Sequence, residues 1–139
     1  ILGEMYGAVL SESGFMEGID MIIPVPLHPA RQRRRGYNQS ECIARGLTAS
    51  TGVECRTDIM IRTEGDGSQT SRGRYERWEN VQGLFRVGKP DQVSGRHVLV
   101  VDDVITTGST IEACVTALQS AGNVRVSVAA LAAAQKLSL

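Results

Sequence analysis

The stretch RHVLVVDDVITTGSTIEACV, Arg96 to Val115, decides the fold. Its opening, 96–103, carries a continuous apolar run that ends on two acids, which reads as a buried strand. Its second half reads as a helix over 109–121, with Ile111, Cys114, Val115 and Leu118 on one face. Gly122 follows as the helix stop. Between strand and helix lies ITTGST, Ile105 to Thr110. The first turn of a helix has free backbone N–H groups and the positive end of the dipole. Gly108 lets the backbone bend and approach a ligand closely. Thr106, Thr107, Ser109 and Thr110 add hydroxyl donors, so the loop is a good anion site. It matches neither G-x-x-x-x-G-K-[ST] nor G-x-G-x-x-G, so it is neither a P-loop nor a dinucleotide fingerprint.

Two carboxylates, Asp102 and Asp103, stand immediately upstream of this anion cradle. A bifunctional ligand reconciles the two. A sugar phosphate carries a dianion at one end and vicinal hydroxyls a few ångströms away. Ionised carboxylates only accept hydrogen bonds, so they suit those hydroxyls. They also suit positive charge developing on a sugar ring, or a metal ion. An isolated Asp-Asp pair more often just ends a strand and caps a turn. The apolar strand before this pair and the T-T-G-S-T after it favour the ligand reading.

Working outward, the remaining chain alternates strands and helices. A helix is expected over 1–17, from Leu2, Met5, Tyr6, Val9 and Leu10 at helical spacing, with Gly14 as its stop. IDMIIPVP (19–26) fits a buried strand. LHPARQRRRGYNQ (27–39) is a basic loop. A second helix runs from Asn38 to about Ser50, capped by Asn38 or Ser40 and ended by Gly52, with Ile43, Ala44 and Leu47 inward. VECRTDIMIR (53–62) reads as a strand. LFRV (84–87) is a short strand, GKPDQVSG (88–95) is turn chemistry, and VRVSVAALA (124–132) is a final strand. Such alternation implies an α/β fold with a mainly parallel central sheet flanked by helices. Ligands in such sheets bind at the carboxyl ends of strands. Two loops lie at such ends, after Val25 and after Val101.

Bulk properties narrow the function classes. The 139 residues suit one domain, 1–139, and the net charge of +0 argues against coating nucleic acid by bulk charge. No apolar run approaches the roughly 20 residues that span a bilayer. Cys42, Cys55 and Cys114 are odd in number and widely spaced, which indicates neither a zinc site nor a disulfide framework. Reduced thiols and a cytoplasmic location are the expectation. The first residue is Ile1, so a truncated or processed N-terminus is expected.

VLVVDDVITTGST resembles, over its full length, the thirteen-residue phosphoribosyl pyrophosphate motif of the type I phosphoribosyltransferases. IIPVPLHPARQRRRGYNQSECIARGL resembles the signature of the ComF family within that superfamily, with Tyr37 where Phe is common. QTSRGRYERWENVQGLFRV resembles a further family stretch through Gln69, Arg77, Asn80 and Phe85. The likeness spans roughly residues 20–132. It implies a type I phosphoribosyltransferase-like fold with a flexible lid at about 63–83. It implies that Asp102 and Asp103 hold the ribose, and that Thr106, Thr107, Gly108, Ser109 and Thr110 hold the 5-phosphate. Many members carry an N-terminal zinc-binding cysteine cluster, which this chain lacks. Some are linked to DNA uptake in natural competence.

The basic loop gains meaning from its position. RQRRRG alone is usually a solvated face, but here it follows a buried strand at the edge that holds the acid pair. The planar fork of arginine gives bidentate contacts to pyrophosphate. The resemblance implies that Pro26, Leu27, His28, Arg35 and Gly36 receive pyrophosphate, with Arg35 the strongest candidate. The polar stretch 63–83 is either a disordered insertion or a lid bringing Arg72, Arg74 and Arg77 to the leaving group. The expected function is binding of phosphoribosyl pyrophosphate with Mg²⁺ and transfer of ribose 5-phosphate to a nitrogen nucleophile. Mg²⁺ is expected to arrive with the substrate, Asp102 and Asp103 being its candidate protein contacts. The alternative is a non-catalytic sensor of that ligand or a related nucleotide, acting on competence or DNA-uptake proteins. Direct binding of single-stranded DNA through RQRRRGYNQ ranks last, given 4% aromatic residues. Acceptor and oligomeric state stay open.

Overall fold

A computed structural model describes residues 14–27, 38–63, 84–105 and 108–133. The elements, in chain order, are β1 (Met21–Pro24), α1 (Gln39–Thr51), β2 (Met60–Arg62), β3 (Phe85–Val87), α2 (Pro90–Val93), β4 (His97–Ile105), α3 (Ser109–Gln119) and β5 (Arg125–Ala133). The main sheet has the order β1-β4-β5, and both pairings are parallel. β4 is the middle strand, which explains its unbroken apolar sequence: Val98, Leu99, Val100 and Val101 are all buried.

Alternate side chains of the sheet face two separate cores. Met21, Ile23, Val25, Val98 and Val100 pack with Ala113, Cys114 and Leu118 of α3, and with Met60 and Phe85. Ile22, Leu99, Val101 and Ala129 pack with Ile43, Ala44 and Leu47 of α1 and with Met16 and Ile19. The sheet therefore has a helix on each face, as its alternating sequence implies.

Two expectations need correction. The stretch 53–62 does not form one strand of the parallel sheet. Around Cys55 it makes a single parallel bridge to Ile22, with Ile22 N–H donating to the Glu54 carbonyl and Arg56 N–H to the Ile22 carbonyl. The chain then turns, and Met60–Arg62 pairs antiparallel with Phe85–Val87 in a separate two-stranded ribbon. Polar residues cause the break. Arg56 ion-pairs with Asp58 at 2.8 Å, and Lys89 reaches the same carboxylate at 2.6 Å. Arg56 and then Lys89 hold the Asp58 carboxyl well below the usual carboxylate range. The second correction is in 88–95, where the four residues Pro90–Val93 form the short helix α2 with Pro90 at its start. Of the expected helix over 1–17, residues 1–13 lie outside the described residues; Gly14 has φ +77, suited to a chain reversal.

Both ends of α1 follow sequence logic. Asn38 caps its start, its side-chain oxygen accepting from the N–H groups of Ser40 and Glu41. Gly52 ends it in the left-handed conformation, its N–H bonded to the Thr48 carbonyl.

Candidate functional site

The site forms where β1 stops and β4 continues. The parallel register pairs Pro24 with Val101, and Val25 N–H donates to the Val101 carbonyl at 2.9 Å. Beyond that point, among the described residues, β4 has no strand partner on the β1 side, and Asp102 and Asp103 occupy the opening. A cleft of about 220 Å³ lies there, between the carboxyl ends of β1 and β4 and the amino ends of α1 and α3. Its walls are Val25, Pro26, Leu27, Asn38, Gln39, Ser40, Arg62, Asp102, Asp103, Val104 and Thr110. This is the carboxyl-end crevice that open α/β sheets use for ligands.

Each acid is held by the backbone that follows it. Asp103 N–H donates to Asp102 Oδ1 at 2.8 Å, and Val104 N–H donates to Asp103 Oδ1 at 2.8 Å. The Ser40 hydroxyl donates to Asp102 Oδ1 at 3.2 Å. Asp102 is half-buried, and burial, followed by the neighbouring Asp103 side chain, raises its pKa above the ordinary carboxylate value. The Asp103 N–H and the Ser40 hydroxyl act in the opposite direction.

On the α3 side, Gly108 sits at φ +81 as the residue preceding the helix, and its carbonyl accepts from Glu112 N–H at 2.8 Å. That left-handed backbone is why glycine belongs there. Ser109 and Thr110 open the helix, at the positive end of its dipole. On the opposite wall, Asn38 Nδ2 donates to the Val25 carbonyl at 3.1 Å, tying the start of α1 to the end of β1. Arg62, at the end of β2, places its guanidinium carbon 5.5 Å from the centre of the Phe85 ring. Behind the site, burial pushes the Cys114 thiol up to about 12, with the charge of Asp102 adding and that of Arg62 subtracting.

Of the residues expected from sequence, Pro26, Leu27, Asp102, Asp103 and Thr110 line this one cleft, and Gly108 and Ser109 stand at the start of α3. Thr106, Thr107, His28, Arg35, Gly36, Arg72, Arg74 and Arg77 lie outside the described residues, as do 64–83 of the expected lid. Ser40 and Arg62 are among the cleft residues that the sequence reading did not assign to the site. That reading offers Ser40 only as a cap, and Arg62 only as the end of a strand. The one available signal for Arg62 was a charge closing the apolar run Ile59-Met60-Ile61.

The described residues contain no group of three or more His, Cys, Asp or Glu that could hold a metal ion. Two adjacent carboxylates on an open cleft fit a Mg²⁺ ion that keeps water and ligand oxygens, rather than an all-protein cage. No helix among the described residues is long and apolar enough to cross a membrane.

A family model described as the phosphoribosyl transferase domain matches residues 19–138. Competence protein F of Haemophilus influenzae is 34% identical over 116 residues, which is 83% of this chain and 51% of that protein. DNA utilization protein YhgH of Escherichia coli O6:H1 is 42% identical over 94 residues, 66% of this chain and 40% of that protein. The chain thus spans two fifths to half the length of these curated relatives. Among solved structures, the allosteric regulatory enzyme of purine biosynthesis superposes with a TM-score of 0.60 at 24% identity, over 91% of this chain and 25% of that one. Adenine phosphoribosyltransferase from Saccharomyces cerevisiae gives 0.61 at 16% identity, over 95% and 66%. At those identities the structural likeness speaks to the fold alone. The acid pair, the glycine-led helix start and the family match agree: this chain belongs to the type I phosphoribosyltransferase superfamily, among the relatives of competence protein F and YhgH.

Proposed function

We propose that the cleft binds phosphoribosyl pyrophosphate with Mg²⁺ and transfers its ribose 5-phosphate group to a nitrogen nucleophile. The observation that carries this reading is the meeting of Asp102 and Asp103 with the start of α3 in a single cleft. A phosphate at the Gly108–Thr110 end leaves the ribose hydroxyls facing the acids. Thr106 and Thr107 complete the phosphate loop in this reading. Pro26, Leu27, His28, Arg35 and Gly36 take the pyrophosphate, and Arg72, Arg74 and Arg77 approach it from the 63–83 segment.

In the reaction, the bond from the anomeric carbon to pyrophosphate breaks, and its electron pair leaves with pyrophosphate. The nucleophile's nitrogen lone pair forms the new bond to that carbon, and its surplus proton departs to solvent. Asp102 and Asp103 hold the ribose and stabilise the positive charge that develops on it. The arginines stabilise the departing charge. Asp102 and Asp103 are the residues that would hold Mg²⁺, which when bound neutralises charge on the leaving group. Neither acid is assigned as a general base. We place the protein in the cytoplasm, in keeping with its three free cysteines.

A second reading has an observation of its own. The relatives named for competence and DNA utilization are 34% and 42% identical to this chain, against 24% and 16% for the two enzymes. A non-catalytic ligand sensor that supports DNA uptake fits those names. Calorimetric titration with phosphoribosyl pyrophosphate and Mg²⁺, followed by a pyrophosphate-release assay across a panel of bases, separates the two. Binding with base-dependent release is the expected result. Binding without release selects the sensor, and no binding removes both.

A further inference from the structure

We propose that Ser40 is a positioning residue for the site: its buried hydroxyl fixes the Asp102 carboxylate so that Oδ2 faces a ribose. This rests on the reading of the acid pair as the ribose site. The observation is where the Ser40 hydroxyl goes: it donates to Asp102 Oδ1 at 3.2 Å rather than within its own helix. A Ser or Thr hydroxyl there commonly returns to the carbonyl four residues back. Ser50 and Thr51, in the last turn of the same helix, do so, donating to the Gly46 and Leu47 carbonyls at 2.9 and 2.6 Å, whereas Ser40, second residue of α1, has no helical carbonyl four residues back and its hydroxyl is free to serve another element. Ser40 instead crosses 62 residues of sequence to Asp102 Oδ1, and it is only 4% exposed. It does not cap the helix either, because Asn38 fills that role.

The effect on Asp102 is directional. Oδ1 receives two donors, the Ser40 hydroxyl and the Asp103 N–H, and both recorded hydrogen bonds fall on that oxygen. Oδ2 is left with its capacity to accept. The groups around Asp102 are Asp103 beside it, Arg62 across the cleft, and Cys114 on α3 behind it. Among the described residues, Ser40 is the donor that reaches Asp102 from α1. The bond therefore joins the start of α1 to the acid pair. A hydroxyl held by burial in one geometry costs a ligand less ordering than a carboxylate free to rotate.

The test is a double-mutant cycle on Ser40→Ala and Asp102→Asn, read as affinity by calorimetry with Mg²⁺ present. The probes are phosphoribosyl pyrophosphate, ribose 5-phosphate and inorganic pyrophosphate. Ser40→Ala should weaken both ribose-bearing probes about tenfold, the scale of one hydrogen bond to a charged group, and leave pyrophosphate unchanged. It should add little in the Asp102→Asn background, because the two act as one unit. Ser40→Thr, which keeps the hydroxyl, should restore affinity. Equal losses on all three probes, or fully additive losses in the cycle, would mean that Ser40 only packs α1, and would overturn the inference. An unchanged Ser40→Ala beside a defective Asp102→Asn overturns it while the ribose reading stands. If Asp102→Asn itself leaves ribose 5-phosphate affinity unchanged, the ribose reading falls and takes the inference with it.

Discussion

Asn38 serves two elements at once: its Nδ2 donates to the Val25 carbonyl at 3.1 Å while its Oδ1 accepts from the Ser40 and Glu41 N–H groups. The side chain is 6% exposed, so water does not replace these partners readily. Asn38→Ala removes the cap and strands the carbonyl. Stability should fall by about 2 kcal/mol in denaturant titrations, near the upper range for one cap plus a buried bond. A loss below about 0.5 kcal/mol would mean the junction contributes nothing beyond an ordinary surface position.

The acid pair should be needed for binding and dispensable for folding. Asp102→Asn with Asp103→Asn should weaken ribose 5-phosphate about a hundredfold, the scale of two hydrogen bonds to charged groups. The circular-dichroism spectrum should be unchanged. Unchanged affinity would remove the ribose assignment.

Arg35→Ala separates the two ends of the ligand. Pyrophosphate affinity should fall about tenfold or more, as expected for losing a bidentate charge-assisted contact, with ribose 5-phosphate unaffected. Equal losses for both ligands would mean that the loop is not a pyrophosphate site.

At Gly108 the cost of a side chain is purely conformational. Its φ is +81, and a Cβ built there meets nothing within 4 Å. Gly108→Ala should therefore cost about 1 kcal/mol through the left-handed backbone alone. Inorganic phosphate affinity should fall with it, because the same backbone bend sets the start of α3. Wild-type stability in a melting experiment would contradict this.

The thiols should differ in reactivity. Cys42 is exposed, Cys55 is intermediate and Cys114 is buried. Burial raises the Cys114 thiol from 9.0 to about 12. Iodoacetamide at pH 8 should label Cys42 first and Cys114 only after unfolding. Because the folded value is the higher one, the stabilising contribution is full below pH 9.0 and is lost as pH rises toward about 12. Alkaline melts of Cys114→Ser should lack that component.

Particular residues show how much of this was legible in sequence. Val98 to Val101 read as a central strand because both of its faces are covered, and an unbroken apolar run is what that requires. Asn38, Gly52 and Gly108 read correctly because caps and left-handed positions are local problems with few solutions. The place of the acid pair at the cleft was legible because strand, acids and helix start are contiguous. The stretch 53–62 was not, because Ile59 and Ile61 alternate equally well beside either sheet. Its partner is the strand Phe85–Val87, far along the chain. Arg62 entered the cleft through that same long-range pairing. Ser40 was legible as a polar residue at a helix start, but its partner 62 residues away was not.

The ribbon of β2 and β3 has a consequence for variation among relatives. Thr63 N–H donates to the Leu84 carbonyl at 2.7 Å, so the chain leaves and re-enters the body at adjacent points. Between two points clamped in this way, the entropic cost of a longer connection grows only with the logarithm of its length. Doubling it costs only about 0.6 kcal/mol. Insertions and deletions between Thr63 and Leu84 should therefore be nearly neutral for folding and leave Asp102 and Asp103 in place.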